Sequence, residues 1–466
     1  MSAARQFDFD VAVIGGGSAG YAAASATARG GRRTAVIEGG REVGGLCILR
    51  GCMPTKALLY AAEVKHLAEH AATWGIQVPE VRYDFAQVMA RKNAMIADFA
   101  GYRRQQLESG RFQLVREHAR FVDPHTVELS GGGRLTSEHF IISTGSVVSP
   151  LPVPQLAAIG CLTSDDALAL ERLPKSIIVL GGGAVAVEFA QFFARFGVRV
   201  TLLQRSPHLL RDFDADAAEV VETVFRREGI ELFTGTRLAD ARTVDGLKQI
   251  TFEHGGQTRT VSAEEIFHGL GRSPNTAGLN LSAAGVTLAA GGRIVTDAQM
   301  RTAVPHIFAA GDCAGPHEIV HLAIQQGETA AHTLLGARPA RAMDYRLLIS
   351  VVFTDPQVAC VGLSEGQARA QGRDFLVASY PLNDHGKSLL MEAKDGFVKL
   401  LADPRTGEIL GGSCVGPAGG ELIHEIVAAM AKRMTVAELA ALPHYHPTLA
   451  EIWTYPAEEL AAQVAG

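Results

Sequence analysis

Two cysteines, Cys47 and Cys52, lie in the stretch Gly44-Gly45-Leu46-Cys47-Ile48-Leu49-Arg50-Gly51-Cys52-Met53-Pro54-Thr55-Lys56. In a regular helix they would stand roughly 7.5 Å apart along the axis alone, more than the roughly 7 Å between Cα atoms that a disulfide spans. Gly44, Gly45 and Gly51 let the backbone leave helical geometry, and Pro54 suits a helix that starts afresh. A bridge can therefore form at the front of a helix running through Lys56 and Leu59. A thiol there feels the positive end of the helix dipole, which stabilises its thiolate and makes the pair easy to cycle. The alternative is two unrelated cysteines in a buried segment. The glycines, Pro54 and Lys56 favour reversible thiol–disulfide exchange.

Such a pair needs a source or sink of electrons, and two glycine-rich turns supply candidate sites. Asp10 to Ile14 (DVAVI) reads as a buried parallel strand, followed by Gly15-Gly16-Gly17-Ser18-Ala19-Gly20, an alanine-rich helix to about Arg29, and a strand from Thr34 to Ile37 that ends in Glu38. This is a dinucleotide-binding pattern. Gly15 makes the turn, Gly17 lets the backbone approach a pyrophosphate, Gly20 allows close helix packing, and Glu38 accepts hydrogen bonds from ribose hydroxyls. Ser176 to Gln204 repeats the theme: the strand SIIVL, then Gly181-Gly182-Gly183-Ala184-Val185-Ala186, a helix through Phe196 and the strand Val198 to Leu203. Gly15 to Glu38 is 23 positions, and so is Gly181 to Gln204. Where the first copy has an acid the second has Gln204, followed by Arg205 and later Arg211. An acid there favours a free 2′-hydroxyl, whereas arginines accommodate a 2′-phosphate.

The pattern GGxCxxxxGCxPxK resembles the redox-active motif of the flavin-dependent pyridine nucleotide-disulfide oxidoreductases, the group of dihydrolipoamide dehydrogenase, glutathione reductase and mercuric reductase. The resemblance covers essentially the whole chain. It implies an α/β protein with two Rossmann-like dinucleotide-binding domains and a C-terminal α+β dimerisation domain. The expected boundaries are 1–150 and 271–340 for the FAD-binding domain, 151–270 for the NAD(P)-binding domain and 341–466 for the dimerisation domain. It assigns FAD to the first fingerprint (Gly15, Gly17, Gly20, Glu38), with Gly45, the turn Thr144-Gly145 after the strand FIIS, and Asp312 at the end of TAVPHIFAAGD. It assigns NADP(H), in preference to NAD(H), to Gly181, Gly183, Ala186, Gln204, Arg205, Arg211 and Gly271. Cys47 resembles the interchange cysteine that attacks substrate, and Cys52 the one that lies against the flavin. Lys56 and Glu188 match an ion pair near the reactive flavin nitrogen. His446 and Glu451, in PHYHPTLAE, resemble the acid–base pair that handles the thiol proton, with His446 reaching the disulfide of the other subunit of a homodimer.

The same reading predicts a helix over Phe85 to Leu107, with Phe85, Val88, Met89, Ile96, Phe99 and Tyr102 as core positions. The resemblance implies that this segment borders the substrate pocket, where Tyr102, Arg103 and Arg104 would face substrate; a solvated helix face is the preferred reading for the two arginines. Pro150 to Pro154 is a crossover between domains, and Glu318 to Ala331 a helix whose N-terminus faces the flavin, with His321 structural. Trp453 and Tyr455 are expected as interface packing, and Cys161, Cys313, Cys360 and Cys414 as small buried residues. His444 with His446 leaves room for a metal reading, which is not adopted.

The expected reaction is hydride transfer from NADPH through FAD to the disulfide and on to a small-molecule or protein-bound disulfide; run backward, it oxidises a dithiol. Several departures set the substrate apart from familiar ones. Gln204 stands where dihydrolipoamide dehydrogenases carry an acid, and Ser25 where glutathione reductases carry an arginine. The C-terminal Ala461-Ala462-Gln463-Val464-Ala465-Gly466 shows no cysteine pair of the mercuric reductase kind, although TLLQRS does look like mercuric reductase. Metal-ion reduction, quinone or oxygen reduction, and redox sensing by a dimer are the alternative functions.

Among 466 residues the formal net charge is −6, which offers no basic footprint for nucleic acid and no polybasic membrane signal. The N-terminus, Met1 to Asp10, is polar, and no apolar run is long enough to span a bilayer. Six cysteines in so long a chain do not make a disulfide framework, and a cytoplasmic enzyme is expected.

Overall fold

The computed structural model describes residues 6–465; Met1–Arg5 of the polar N-terminus and the final Gly466 lie outside them. The chain divides into two compact units, one made of residues 1–57, 86–150 and 271–343, the other of 58–85, 151–270 and 344–466.

The first unit is built on strand β1 (Phe9–Ile14), helix α1 (Ser18–Arg29) and strand β2 (Thr34–Ile37). The last four residues of β1 and all of β2 are buried, as the unbroken apolar runs of a sheet covered on both faces require. β1 pairs in parallel with β2, Val11 against Thr34 through Ile14 against Ile37, and with Arg134–Ile142 on its other side. Gln113–Val115 extends the sheet beyond β2, and Ile307–Ala309 pairs in parallel with the end of Arg134–Ile142. The parallel strand ends therefore collect at one edge, beside the N-terminus of α1, where α/β sheets bind ligands. The helix Val320–Leu334 packs on α1 so closely that a Cβ on Gly327 would overlap the Ala19 carbonyl oxygen.

Helix α2 (Gly45–Leu49) and helix α3 (Cys52–Glu69) follow β2, and helix α4 (Phe85–Leu107) comes next. α4 has the expected limits but a different inward face. Met89, Lys92 and Leu107 are buried, whereas Phe99 and Tyr102 are exposed, at 40% and 63%. The expectation that Phe99 and Tyr102 are core fails because the covered face passes one residue later, through the half-buried Arg103. One position is about 100° around a helix, so an aromatic and a guanidinium exchange faces.

The second unit contains a parallel four-stranded sheet, in the order Glu231–Phe233, Arg199–Leu203, Ser176–Leu180 and Glu265–His268, with the helix Ala184–Arg195 after its third member. An antiparallel meander, Arg237–Val244, Leu247–His254 and Gln257–Ala263, adjoins it in sequence. From Ile349 on, five antiparallel strands form a sheet whose core includes Ile423, Ile426 and Met430 of the helix Gly419–Ala431. Trp453 belongs to that core. It is fully buried and its indole N–H donates to the Leu422 carbonyl at 3.3 Å. The expectation of Trp453 as interface packing is thus corrected; Tyr455 stays partly exposed, stacked on Tyr380 with ring centroids 4.1 Å apart. No described helix is long and apolar enough to cross a membrane.

Candidate active site

At the first glycine-rich turn the backbone itself is the structure. Gly15 has φ of +104°, and a Cβ there would overlap the Ser143 carbonyl oxygen. A Cβ on Gly20 would overlap the Gly15 carbonyl oxygen, so α1 leaves the turn at a distance only glycine permits. Gly17 caps α1 with no side-chain hydrogen bond, leaving the first-turn N–H groups to an anion. Gly45, at φ +77°, sits against Gly17; a Cβ on it would lie 2.6 Å from the Gly17 Cα. The cysteine segment is thereby seated on the N-terminus of α1.

Glu38 ends β2 with both carboxylate oxygens held by the backbone. The Gly16 N–H donates to Oε2 and the Gly40 N–H to Oε1, each at 2.8 Å. Asp312 follows Ile307–Ala309 and accepts the Ser146 hydroxyl proton at 2.7 Å, while Ser146 Oγ accepts from Arg272 Nε at 2.8 Å. The turn Thr144-Gly145 is pinned by Asn275, whose N–H donates to the Gly145 carbonyl and whose carbonyl accepts from Thr144 Oγ1 at 2.7 Å. Gln326 ties Gly311 to Gly315 through 2.7 Å bonds at each end of its amide. Phosphate-facing amides, a carboxylate on a strand end and a second carboxylate beyond another strand end suit the pyrophosphate, ribose and sugar chain of FAD. Ser146 and Gln326 were missed in the sequence, because each acts across more than ten positions without a motif, whereas Arg272 and Asn275 belong to the stretch Gly271-Arg272-Ser273-Pro274-Asn275, which resembles the family's return motif.

Cys47 lies on α2 and Cys52 opens α3; both carry thiols, with no disulfide between them. A Cβ on Gly51 would lie 2.9 Å from the Leu46 carbonyl, so glycine is what allows the chain to turn back between the two helices. The Cys47 thiol is pushed up, first by its hydrogen bond with Cys52, then by burial and by the Cys52 charge; Arg103 and Lys56 act in the opposite sense. Cys52 is the thiol that stands at the N-terminus of the long helix. Cys161, Cys360 and Cys414 are pushed up by burial, to about 11, 12 and 12, and Cys313 is fully buried. Cys313 and Cys414 are buried as expected, whereas Cys161 and Cys360 are only partly covered.

In the second unit Gly181 has φ of +112°, with its Cβ position blocked by the Gly269 carbonyl oxygen, and Gly183 caps Ala184–Arg195 with open space around it. Ala186 is buried against Gly269, where a Cβ would come within 2.8 Å of its own. Gln204 packs under Gly182 and accepts the Arg205 N–H at 3.0 Å. Arg205 is exposed, and so is Arg211, which lies 3.6 Å from the Asp212 carboxylate. Gly271 opens the last segment of the first unit, and its carbonyl accepts the Ser149 N–H.

Glu188 is buried in the second unit, with Oε1 accepting the Phe353 N–H at 2.9 Å, whereas Lys56 belongs to the first. His446 Nδ1 lies 2.9 Å from Glu451 Oε2, and the imidazole is 78% exposed beside a carboxylate that is 11% exposed. A buried carboxylate thus fixes the ring and leaves its other nitrogen outward. Behind Glu451, the fully buried His385 places Nε2 3.4 Å from Oε1 and its Nδ1 2.8 Å from Ser388 Oγ. Burial lowers the His385 pKa, against the pull of Glu451. No sequence signal marked His385. His444 is turned to Glu425, 2.7 Å away, and among the described residues no three His, Cys, Asp or Glu side chains gather as a cation site.

Comparison with known proteins agrees with this geometry. Residues 9–327 match the pyridine nucleotide-disulphide oxidoreductase family and residues 348–457 its dimerisation domain. The chain is 34% identical to a dihydrolipoyl dehydrogenase of Geobacillus stearothermophilus over 450 residues, which cover 96% of this chain and 95% of that one. It is 31% identical to a mercuric reductase of Staphylococcus aureus, covering 96% and 81%. In structure it resembles the HOCl-induced flavoprotein disulfide reductase RclA from Escherichia coli with a TM-score of 0.85 and 26% identity, over 96% and 99% of the two chains. With a cysteine pair seated on a dinucleotide fold and both domain matches in place, the chain belongs to the class I pyridine nucleotide-disulfide oxidoreductases, flavin-dependent enzymes that use FAD.

Proposed function

We propose that this enzyme takes hydride from NADPH in preference to NADH and delivers the electron pair through Cys47 and Cys52 to a small-molecule or protein-bound disulfide, as a cytoplasmic homodimer. The observation that carries this reading is the seating of Gly45 on Gly17, which brings the cysteine segment to the N-terminus of α1. Bound there, FAD supplies two-electron exchange between nicotinamide and disulfide. Gly15, Gly17, Gly20 and Gly45 provide the backbone surface, Glu38 and Asp312 accept sugar hydroxyls, and Thr144-Gly145 forms the adjoining turn. Residues 1–150 with 271–340 are assigned to FAD, 151–270 to the nicotinamide nucleotide and 341–466 to the dimer.

The thiol steps follow from sulfur chemistry. Cys47 as thiolate attacks one sulfur of the substrate disulfide, forming a mixed disulfide and expelling the first substrate thiolate. Cys52 then attacks Cys47 Sγ, which closes the internal disulfide and releases the second. His446, steered by Glu451, gives the proton to the leaving thiolate; Lys56 favours the Cys47 thiolate, and Glu188 is assigned with it to catalysis. In reverse the same groups oxidise a dithiol. The dimer is supported by the match of residues 348–457, by the outward His446 ring, and by Tyr60, Val64 and Leu67 exposed at helical spacing on α3.

For the nucleotide, Gly181, Gly183 and Ala186 form the turn and Gln204 removes the repelling carboxylate; Arg205 and Arg211 are placed to meet a 2′-phosphate, with Gly271 at the return to the first unit. The wild-type enzyme is expected to reduce a disulfide with a higher kcat/KM for NADPH than for NADH. Changing Arg205 and Arg211 together to alanine should shrink that ratio about thirtyfold, the size of one or two charge-assisted hydrogen bonds. Equal kcat/KM for the two nucleotides, untouched by the double change, would defeat the NADPH assignment.

A further inference from the structure

Beside Cys47 the structure holds a cation with nothing to neutralise it. Arg103 lies on the covered face of α4, half-buried, its guanidinium carbon 4.1 Å from the centre of the Tyr21 ring. Its Nε and Nη1 are sealed from solvent and have no hydrogen-bond partner. A buried donor left unmade is costly, more so on a charged group. One turn further along α4, the Gln106 carbonyl oxygen is likewise buried without a partner.

The neighbours do not compensate. Burial pulls the Arg103 pKa down, and the groups that act against it are Tyr21, Cys47 and Tyr102, which bear charge only as anions; no carboxylate is among them. The influence is mutual, since Arg103 also favours the Cys47 thiolate. Arg111 adds a second positive charge, donating from Nη2 to the Tyr21 hydroxyl at 3.0 Å. Burial opposes ionisation of that phenol. The Arg111 bond, Ser25 and the charges of Arg111 and Arg103 nonetheless hold its pKa down. Ser25 Oγ is itself buried without a partner of full hydrogen-bond geometry, although it lies close enough to Tyr21 to share in that effect. Arg103 and Arg111 thus meet at Tyr21, and of the nearby cations Arg103 and Lys56 both favour the Cys47 thiolate.

We propose that Arg103, backed by Arg111 across Tyr21, is an anion subsite beside Cys47, and that the disulfide reduced here bears a carboxylate or a similar anionic group within a few bonds of its sulfur. This deepens the disulfide-reductase reading and rests on it. Arg103 is half-buried as a whole residue, and Nη2 is the guanidinium nitrogen not among the sealed, unpartnered atoms, so the anion is assigned to that nitrogen. It would supply the missing countercharge in a site of low dielectric, where ion pairing is strongest.

The test compares probes that differ only in charge. In the anaerobically reduced holoenzyme, Cys47 is alkylated with iodoacetate and with iodoacetamide, and the modified peptide is quantified by mass. Both reagents need the same thiolate, so their rate ratio cancels any change in thiolate population. Arg103→Gln is expected to lower the iodoacetate-to-iodoacetamide ratio about tenfold, and Arg103→Lys to restore most of it. In turnover, the preference for 3,3′-dithiodipropionate over its neutral diamide should fall in parallel, by about tenfold or more. An alkylation ratio that stays within twofold in Arg103→Gln overturns the anion subsite. Alkylation requires no turnover, so failure of the wild-type enzyme to reduce either disulfide strikes the disulfide-reductase reading instead, and with it the substrate assigned here.

Discussion

Replacing Cys47 with serine is expected to lower NADPH-dependent disulfide turnover by at least about a thousandfold, because the attacking sulfur is lost and the remaining groups cannot form the mixed disulfide. Reduction of a dye or quinone by the same variant should stay within a few-fold of wild type. Such acceptors take electrons without thiol exchange. The substitution removes one atom's chemistry and little volume at a half-buried position, so the variant should keep its fold and its FAD. Activity with disulfides that survives the change would move the enzyme to the quinone- or oxygen-reducing class. A matching loss with all acceptors would mean that the side chain supports the fold rather than the exchange.

A single methyl group at Gly20 should be nearly as damaging by a different route. The added Cβ would overlap the Gly15 carbonyl oxygen and come within 2.6 Å of Ser143 Oγ. Both partners are held: Ser143 Oγ donates to the Gly15 carbonyl at 2.9 Å, and Gly15 is bonded to the end of β2. Relief requires α1 to withdraw, which pulls Gly17 away from Gly45 and spoils the helix terminus offered to phosphate. Gly20→Ala is expected to cost about 3 kcal/mol or more and to yield protein largely depleted of FAD. The measurement is the flavin-to-protein absorbance ratio after purification, together with the temperature at which flavin fluorescence is released. A fully loaded Gly20→Ala enzyme with an unchanged release temperature would show that the turn is looser than drawn.

The sequence made local features legible wherever a backbone requirement selected a residue type. The limits of α1, β2 and α4 were readable because glycine turns, an alanine-rich run and helical spacing mark them directly. Trp453 misled because an aromatic residue beside a candidate catalytic histidine suggests an interface, while its burial depends on the helix Gly419–Ala431 more than twenty positions earlier. Phe99, Tyr102 and Arg103 misled because a helical stripe can rotate by one residue with no change in its period. The supports of the site, Ser146 under Asp312, Gln326 between Gly311 and Gly315 and His385 behind Glu451, depend on tertiary contacts that have no spacing rule. Sequence could name the groups that do chemistry, but not those that hold them still.

The central claim is that electrons from the nicotinamide reach Cys47 and Cys52 before they reach substrate. The most direct measurement adds one equivalent of NADPH to the oxidised holoenzyme under anaerobic conditions, quenches with iodoacetamide and maps the labelled cysteines by peptide mass. Labelling that appears on Cys47 and Cys52 only after NADPH, with Cys161, Cys313, Cys360 and Cys414 unlabelled throughout, is the predicted result. NADPH consumed with Cys47 and Cys52 labelled no more than before would contradict it.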